Sequence, residues 1–339
     1  PYPLSPLETL THGHADEARA HADDHARNPG IQLDLGWVEE TRVNPPATRR
    51  RAATLGTRRS VKKEWQAAWL LRAIACMDLT TLEGDDSPAR VRRLCAKARQ
   101  PVRPDILDAL GVADLGLTTG AVCVYHAHVA TAKRALEGSG IPVAAVSTAF
   151  PHGQSPLALR LAEIKASVEA GADEIDVVIT RGLVHTADWA RLYDEIAAMK
   201  DACGDASLKT ILGTGDLGPL WNVARASKVA LMAGSAFIKT STGKEKVNAT
   251  LPVGLVMTRM IREYAALSGH RAGYKPAGGI RKAKESLVWL SLMKEELGDL
   301  WLTPGYFRFG ASSLLADVER QLSHHVTGRY AARHHQPMG

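Results

Sequence analysis

The sequence predicts an α/β fold, a (β/α)8 TIM barrel preceded by an N-terminal extension. Eight short apolar segments alternate along the chain with longer segments whose apolar residues recur at helical spacing. Glycines such as Gly138, Gly171, Gly234 and Gly269 close several of the helical segments. The 339 residues are enough for an extension and one such barrel, which takes about 250 residues.

The N-terminal extension is predicted at 1–60. Its first ~30 residues carry histidines among alanine, aspartate and arginine without apolar periodicity, and we expect them to be disordered. Metal binding by these histidines is the alternative. The apolar residues of Ile31–Val38 can dock on the body of the protein. The Asn-Pro-Pro sequence at 44–46 interrupts the chain, and a short basic helix is predicted at Arg49–Thr57.

The barrel domain is predicted at 61–325 and a C-terminal tail at 326–339. Val61–Ala73 has apolar residues at helical spacing and leads into the first strand. The predicted strands are Ile74–Leu79, Ala121–Tyr125, Val143–Thr148, Glu174–Ile179, Leu208–Leu212, Ala236–Lys239, Gly273–Pro276 and Tyr306–Gly310. The predicted helices are Pro88–Arg99, Val129–Leu136, Leu157–Ala170, Ala187–Lys200, Leu217–Met232, Pro252–Leu267, Lys282–Glu296 and Ser312–His325. A doubly wound sheet is the alternative, but no G-x-G-x-x-G sequence follows the first strand.

The stretch Phe237–Lys244 runs from a predicted buried strand into a loop that offers a candidate amine nucleophile and groups that can bind a phosphate. Lys239 lies where the apolar run ends. A lysine held at the mouth of a buried strand is partly desolvated, so it loses its proton more easily than a surface lysine, as an amine nucleophile for a carbonyl must. The following hydroxyls, backbone N–H groups and positive charge suit a phosphate. The loop residues concerned are Thr242, Gly243 and Lys244. A lysine in a solvated loop is the alternative for this stretch alone.

A second stretch, Gly273–Arg281, has the same pattern of a short strand, a lysine and a glycine pair. Lys275 follows Lys239 by 36 positions, and one strand-helix unit of such a barrel takes roughly 30 residues. The two lysines are therefore expected on adjacent strands with their ammonium groups close together. Repulsion between them lowers the pKa of one.

These two stretches resemble the signature segments of the deoxyribose-phosphate aldolases, which are class I (Schiff-base) aldolases. The similarity runs from about Ile31 to the C-terminus and is closer to the longer, animal-type members than to the short bacterial ones. The resemblance implies reversible cleavage of 2-deoxy-D-ribose 5-phosphate to D-glyceraldehyde 3-phosphate and acetaldehyde, in deoxyribonucleotide catabolism. It implies Lys239 as the Schiff-base lysine, Asp176 as the residue that shuttles protons with Lys275, and no cofactor or metal.

Asp176 is a charged residue inside the apolar fourth strand. A buried carboxylate is costly unless it is paired, and Lys239 and Lys275 are its natural partners. A structural ion pair is the alternative and is compatible with catalysis. Glu174 on the same strand is expected to face outward. Lys209 on the fifth strand is the rival nucleophile, and it ranks lower because its neighbours lack the glycine and hydroxyl loop.

Two further loops suit a phosphate. Gly310 precedes Ser312 and Ser313 at a predicted helix start, where free N–H groups, hydroxyls and the helix dipole converge. Gly278 and Gly279 make a neighbouring loop after the seventh strand. Phosphate sites built from the loops after strands seven and eight recur in these barrels. Ordinary helix capping by Ser312 is the alternative.

The remaining pocket residues are predicted from the ends of the first three strands. By resemblance, Asp78 and Thr80 line the pocket and contact the sugar hydroxyls. Phe150 is expected to form a wall of the site. Gly213 stands where many members have a bulkier or acidic residue. Tyr330 is not the last residue, so the role of the terminal tyrosine found in some short members is not carried over.

Four cysteines are present without a C-x-x-C pair, which predicts free thiols in a reducing compartment and a cytoplasmic location. Cys123 closes the second strand. A cysteine nucleophile would need a nearby histidine, and His126 and His128 follow it where the family pattern has proline and arginine. We interpret them as loop variation, with Cys123 lining the pocket near the reactive aldehyde.

The chain has a net charge of +6 and a pI of about 9.2. A basic nucleic-acid-binding module is therefore the rival function from a different class. No aromatic residues interleave with the basic cluster at 49–63, however, and a solvated helix face is favoured.

Another phosphosugar barrel of the transaldolase or isomerase type is the rival enzyme. No apolar run of ~18 residues predicts a membrane span, and no signal sequence is visible. The expected partners are a phosphorylated sugar and acetaldehyde, with no nucleic acid, no membrane and room for a homo-oligomer such as a dimer.

Overall fold

The computed structural model describes residues 28–58 and 60–335, and a ring of eight parallel strands forms its centre. The strands are β1 (Met77–Thr80), β2 (Ala121–Tyr125), β3 (Val143–Ser147), β4 (Glu174–Val178), β5 (Ser207–Ile211), β6 (Phe237–Lys239), β7 (Gly273–Lys275) and β8 (Phe309–Ala311). They pair in the order β7-β6-β5-β4-β3-β2-β1-β8. Parallel bridges from Tyr274 to Phe307 and from Ala277 to Gly310 close the ring. The prediction of a (β/α)8 barrel is confirmed.

Helices surround the strands, as expected for this architecture. They are α1 (Leu35–Glu39), α2 (Pro45–Arg58), α3 (Lys63–Ala75), α4 (Pro88–Arg99), α5 (Pro104–Ala109), α6 (Val129–Ala135), α7 (Leu157–Glu169), α8 (Arg181–His185), α9 (Trp189–Cys203), α10 (Leu220–Met232), α11 (Leu251–Ser268), α12 (Ala283–Leu297) and α13 (Leu314–Thr327). Within the described ranges, none of them has the length and apolar character needed to cross a membrane.

Alternation along each strand separates an apolar outer layer from a polar interior. Successive side chains of a strand point to opposite faces. On β4, Ile175 and Val177 belong to the apolar core shared with the helices, whereas Glu174 and Asp176 face the barrel axis. The charged residues of the site therefore come from the same strands that hold the barrel together.

The first strand begins later than the sequence predicts. The prediction is Ile74–Leu79, but α3 continues to Ala75 and β1 begins at Met77. Ile74 is fully buried on that helix. A short apolar run does not distinguish the buried end of a helix from a buried strand. The short helices α1, α5 and α8 are likewise absent from the prediction, because each is too brief to show helical periodicity.

The eighth strand also begins later, at Phe309 rather than Tyr306. The amides of Tyr306 and Phe307 bond to the carbonyl of Thr303, which holds this part of the chain in a turn. The last helix begins at Leu314, two residues after the predicted start.

Part of the N-terminal extension packs on the barrel. Asn28 is buried, and its side-chain amide donates to two carbonyls near the end of α10 at 2.8 and 3.0 Å. The Tyr264 hydroxyl donates to the oxygen of the same side chain at 2.7 Å. The docking predicted for Ile31–Val38 is confirmed, since the last residue of this segment is fully buried. The expected disorder is wrong for residues 28–30, and residues 1–27 lie outside the described part of the chain.

The predicted basic helix begins at Pro45, because proline is well tolerated in the first turn of a helix. Arg51 and Arg58 each reach Glu295 on α12 at 2.9 Å. Part of the basic cluster therefore docks this helix on the barrel.

Candidate active site

Lys239 and Lys275 end neighbouring strands, as the sequence predicts. The two residues are register partners in the pairing of β6 with β7. Lys239 is 3% exposed and Lys275 is fully buried. Parallel strands end at the same edge of the barrel, so both side chains reach its C-terminal end, where the active sites of such barrels lie.

Asp176 on β4 joins the two lysines. Its Oδ2 accepts from the Lys239 ammonium at 2.7 Å and from the Lys275 ammonium at 2.8 Å. Its Oδ1 makes no hydrogen bond within the described residues, and the Lys209 nitrogen lies 3.5 Å away. The carboxylate therefore binds both lysines through one oxygen and keeps the other available to accept a proton.

The three groups differ in how readily they hold a proton. Burial lowers the pKa of Lys239, and the nearby Lys275 lowers it further, against an opposing effect of Asp176. Burial would also lower the pKa of Lys275, but Asp176 and Asp78 outweigh it and raise that pKa. Burial alone would raise the pKa of Asp176, yet the surrounding lysines hold it well below its usual range. The site thus combines an amine that deprotonates easily, a retained cation and a carboxylate.

Asp78 lies beneath the lysines rather than on an open pocket wall. It is fully buried, its Oδ2 accepts from Lys275, and its Oδ1 accepts from the Arg308 guanidinium at 2.6 Å. Both of its oxygens are engaged in ion pairs, and the contact of Asp78 with the sugar hydroxyls stays a prediction. Thr80 is half-buried and its hydroxyl donates to the Asp78 carbonyl at 2.7 Å.

Glu174 faces the barrel axis, so the expectation that it points outward is wrong. It accepts from Arg308 at 2.9 Å and from Lys209. Lys209 is fully buried and also lies 3.6 Å from Asp78. Sequence reasoning missed the role of Arg308 entirely. For Glu174 the sequence does contain a signal for the inward face. Its i, i+2 spacing from Asp176 places both carboxylates on the same face of the strand.

The three phosphate loops predicted from the sequence meet in the structure. Gly243 and Gly278 have φ angles of +88° and +81°, and a Cβ on Gly243 would lie 3.9 Å from the Gly278 Cα. The bridge between Ala277 and Gly310 brings the loop after β8 beside the loop after β7. Three further residues of these loops, Gly279, Ser312 and Ser313, are exposed where the loops meet. Ser313 precedes the first helical residue and makes no side-chain capping bond.

Three of these loop residues also have structural contacts. Thr242 donates to Glu245 through its amide and its hydroxyl, the latter at 2.7 Å. The Lys244 ammonium donates to Glu83 at 3.1 Å. Gly310 leaves room for its neighbours as well, since a Cβ there would lie 2.7 Å from the Ala277 Cβ and 3.4 Å from the Lys275 Cε. The phosphate role of all three remains a prediction.

A small apolar cluster forms the wall on the side of the first three strands. It contains Leu82, Cys123, Ala144 and Val146, with Phe150 packed against it. Phe150 meets the Tyr125 ring edge-on, with ring centroids 5.8 Å apart. Such a wall suits the apolar end of acetaldehyde.

Cys123 is not paired with either histidine that follows it as a nucleophile would be. The thiol is buried, which raises its pKa, and no catalytic dyad is formed. The His126 ring instead lies 3.4 Å from Glu163, and this contact raises the pKa of His126. The interpretation of these histidines as loop variation agrees with this geometry.

Gly213 makes room for an arginine that links several loops at the C-terminal end. A Cβ on Gly213 would lie 2.2 Å from the Arg181 Nε. Arg181 donates to the carbonyl of Pro151 at 2.8 Å and reaches Asp216 at 3.2 Å and Glu245 at 3.5 Å. The small residue therefore permits a tie between the loops after β3, β4, β5 and β6.

A cavity of about 930 Å³ lies at the other end of the barrel. Glu174, Phe237 and Arg308 line it, together with residues that precede the strands. In these barrels the chemistry takes place at the C-terminal strand ends, so we do not assign this cavity to the substrate. Its inner wall is the underside of the charged network.

Comparison with known proteins agrees with this geometry. A family model described as DeoC/LacD family aldolase matches residues 72–320. The deoxyribose-phosphate aldolase of Bos taurus is 60% identical over 315 residues, which cover 92% of this chain and 99% of that protein. The deoxyribose-phosphate aldolase of Homo sapiens is also 60% identical over 315 residues, with the same coverage of 92% and 99%.

Solved structures support the fold. The deoxyribose phosphate aldolase from Aeropyrum pernix, whose structure is described as tetrameric, has a TM-score of 0.57 and 21% identity, covering 81% of this chain and 98% of that one. The aldolase named QR15 has a TM-score of 0.57 and 24% identity, covering 75% of this chain and 97% of that one. On the family match and the two close relatives, the chain belongs to the DeoC/LacD family of aldolases.

Proposed function

We propose that this chain catalyses the reversible aldol cleavage of 2-deoxy-D-ribose 5-phosphate to D-glyceraldehyde 3-phosphate and acetaldehyde, in deoxyribonucleotide catabolism. The observation that carries the proposal is the arrangement of Lys239, Asp176 and Lys275 at the C-terminal strand ends. It supplies an amine of lowered pKa within hydrogen-bond distance of a carboxylate and a second ammonium.

In the synthetic direction, the Lys239 amine adds to the carbonyl carbon of acetaldehyde. The carbinolamine loses its hydroxyl as water after protonation, with Lys275 as the proton donor, and leaves an iminium. The positive nitrogen acidifies the methyl group, and Asp176 accepts a methyl proton, directly or through water, to give the enamine. The Oδ1 of Asp176, which accepts no hydrogen bond within the described residues, supports this role.

The enamine carbon then attacks the aldehyde carbon of glyceraldehyde 3-phosphate, and the new alkoxide takes up a proton. Water hydrolyses the iminium, which releases the sugar phosphate and restores the amine. The phosphate is proposed to bind the loops after β6, β7 and β8. The first two contain glycines of positive φ, and the third leads into the N-terminus of α13. The proposed phosphate residues are Thr242, Gly243, Lys244, Gly278, Gly279, Gly310, Ser312 and Ser313.

The proposal extends to location and assembly. The described cysteines, Cys76, Cys95, Cys123 and Cys203, are buried free thiols, which supports a reducing, cytoplasmic compartment. A homo-oligomer such as a dimer is proposed as well, and the tetrameric relative supports self-association in the family. Light scattering on the purified chain measures the mass of the assembly directly, and a monomer at all concentrations would contradict this part.

Borohydride trapping with acetaldehyde, followed by peptide mapping, tests the mechanism. We expect the reduced adduct on Lys239 and none in Lys239→Arg, because a guanidinium stays protonated and does not form an imine. Lys228→Arg is the matched control, since Lys228 is also buried with a burial-lowered pKa but lies on α10 against Trp37. A label that maps to Lys209 or Lys275 would refute the assignment.

A further inference from the structure

A second tier of charge lies beneath the two lysines of the proposed site. Arg308, which precedes β8, is 5% exposed and donates to Asp78 at 2.6 Å and to Glu174 at 2.9 Å. Its Nε donates to the Pro304 carbonyl. The proposed mechanism uses neither Arg308 nor Glu174, although burying both charges is costly.

The contacts form one continuous path from this tier to the Schiff-base lysine. Arg308 binds one oxygen of Asp78, and Lys275 binds the other. Lys275 then shares Asp176 with Lys239. Every step is an ion pair between buried side chains, so removing one charge changes the balance at the next.

Neighbouring residues make space for an arginine at this position. A Cβ on Gly120 would lie 3.3 Å from the Arg308 Cδ and Nε. The Phe237 ring faces the guanidinium, with 5.9 Å from the ring centroid to the Arg308 Cζ. Gly273 in turn clears that ring, since a Cβ there would lie 2.3 Å from it. Two glycines and one aromatic ring thus shape the space that the guanidinium occupies under Asp78.

We propose that Arg308 is a positioning residue, which neutralises Asp78 from below and thereby leaves Lys275 oriented toward Asp176. Without the guanidinium, Asp78 would carry an uncompensated buried charge, and the Lys275 ammonium, which already contacts both carboxylates, would pair with Asp78 at the expense of Asp176. The proton donor would then be displaced from the carboxylate that it shares with Lys239. This inference rests on the proposed function, since it needs a Schiff base at Lys239.

Arg308→Met tests the inference, with trapping of the acetaldehyde imine measured against pH. Removing a positive charge and exposing Asp78 both favour the protonated form of Lys239, so the midpoint of trapping is expected to move to higher pH. We expect kcat to fall at least about tenfold through the displaced proton donor. KM for the phosphorylated substrate is expected to stay within about twofold, because the phosphate loops lie elsewhere.

Arg160→Met is the matched control. Arg160 is 3% exposed and pairs with Glu195 at 3.2 Å, outside the barrel interior. Its loss is expected to lower the melting temperature without moving the trapping midpoint. An Arg308→Met protein that loses only stability, like the control, would overturn the inference.

Two further variants keep the inference falsifiable if Arg308→Met does not fold. Arg308→Lys restores the charge and is expected to bring the midpoint back toward that of the parent. Glu174→Gln removes a negative charge and is expected to move the midpoint to lower pH, opposite to Arg308→Met. An unchanged midpoint in Glu174→Gln would overturn the inference, and so would an Arg308→Lys midpoint that moves to higher pH although the charge is kept. Failure of the proposed function can be told apart from failure of this inference. If the proposed function is wrong, the unaltered protein itself gives no adduct at Lys239.

Discussion

Replacing Lys275 with methionine separates electrostatic tuning from proton transfer at the site. The side chain loses its terminal nitrogen and its charge but keeps the rest of its length. The ammonium nitrogens of Lys239 and Lys275 each lie within 2.8 Å of the Asp176 Oδ2, which keeps them within about 5.6 Å of each other. At about 5 Å and an effective dielectric constant of about 20, the two charges repel by roughly 3 kcal/mol.

Loss of this repulsion raises the pKa of Lys239, because its protonated form is no longer opposed. The same roughly 3 kcal/mol corresponds to about a hundredfold less free amine at neutral pH. Burial of Lys239 still lowers its pKa, so the return toward an ordinary lysine is incomplete. Imine formation should therefore slow at neutral pH and recover in part as the pH is raised.

Single-turnover imine trapping across the neutral and alkaline range measures this. Lys294→Met is the control, since Lys294 is a half-buried lysine outside the barrel interior that pairs with the exposed Asp299. We expect the Lys275→Met profile to be displaced to higher pH and the control profile to be unchanged. Parallel profiles that differ only in height would refute the electrostatic reasoning and leave proton transfer or structure as the role of Lys275.

Two further predictions concern the phosphate loops and the docked extension. Ser312→Asp places a negative charge at the proposed phosphate site, so KM for 2-deoxy-D-ribose 5-phosphate should rise at least about tenfold while turnover of unphosphorylated 2-deoxyribose changes little; equal losses for both substrates would contradict the site. Asn28→Ala leaves the Tyr264 hydroxyl and two carbonyls without this partner, so urea unfolding should show a loss of about 1–3 kcal/mol, and an unchanged midpoint would contradict the docking.

The fold was predictable because its signals are local. Alternating strands and helices leave apolar runs and closing glycines in the sequence. These patterns can be recognised without knowing which strands pair. Boundaries such as Met77 and Phe309 were not predictable, because they depend on where a helix or a turn ends rather than on apolar content. The docking of Asn28 was also hidden, since its partners lie more than two hundred positions away.

The site residues were predictable only where a reactive residue type lies at a position that the strand order brings next to another such residue. Lysines at the ends of neighbouring parallel strands must approach each other, so Lys239 and Lys275 could be paired from their spacing alone. A charged residue within an apolar run looks the same whether it faces inward or outward. Glu174 was placed on the wrong face, although its i, i+2 spacing from Asp176 indicates the inner one. Arg308 was overlooked because its partners come from strands distant in the chain.

Charge balance in the barrel interior favours Lys239 over its neighbours as the proposed amine nucleophile. Three carboxylates face four basic side chains, which leaves one surplus positive charge if all are ionised, and burial makes that surplus costly. The groups are Asp78, Glu174, Asp176, Lys209, Lys239, Lys275 and Arg308.

The four cations differ in how readily they can lose a proton. A guanidinium does not release its proton in proteins. Lys209 and Lys275 each lie within 3.6 Å of two or more carboxylates, whereas Lys239 pairs, within the described residues, with Asp176 alone. Lys239 is therefore the cation whose loss of charge costs least, which agrees with its proposed role as the nucleophile.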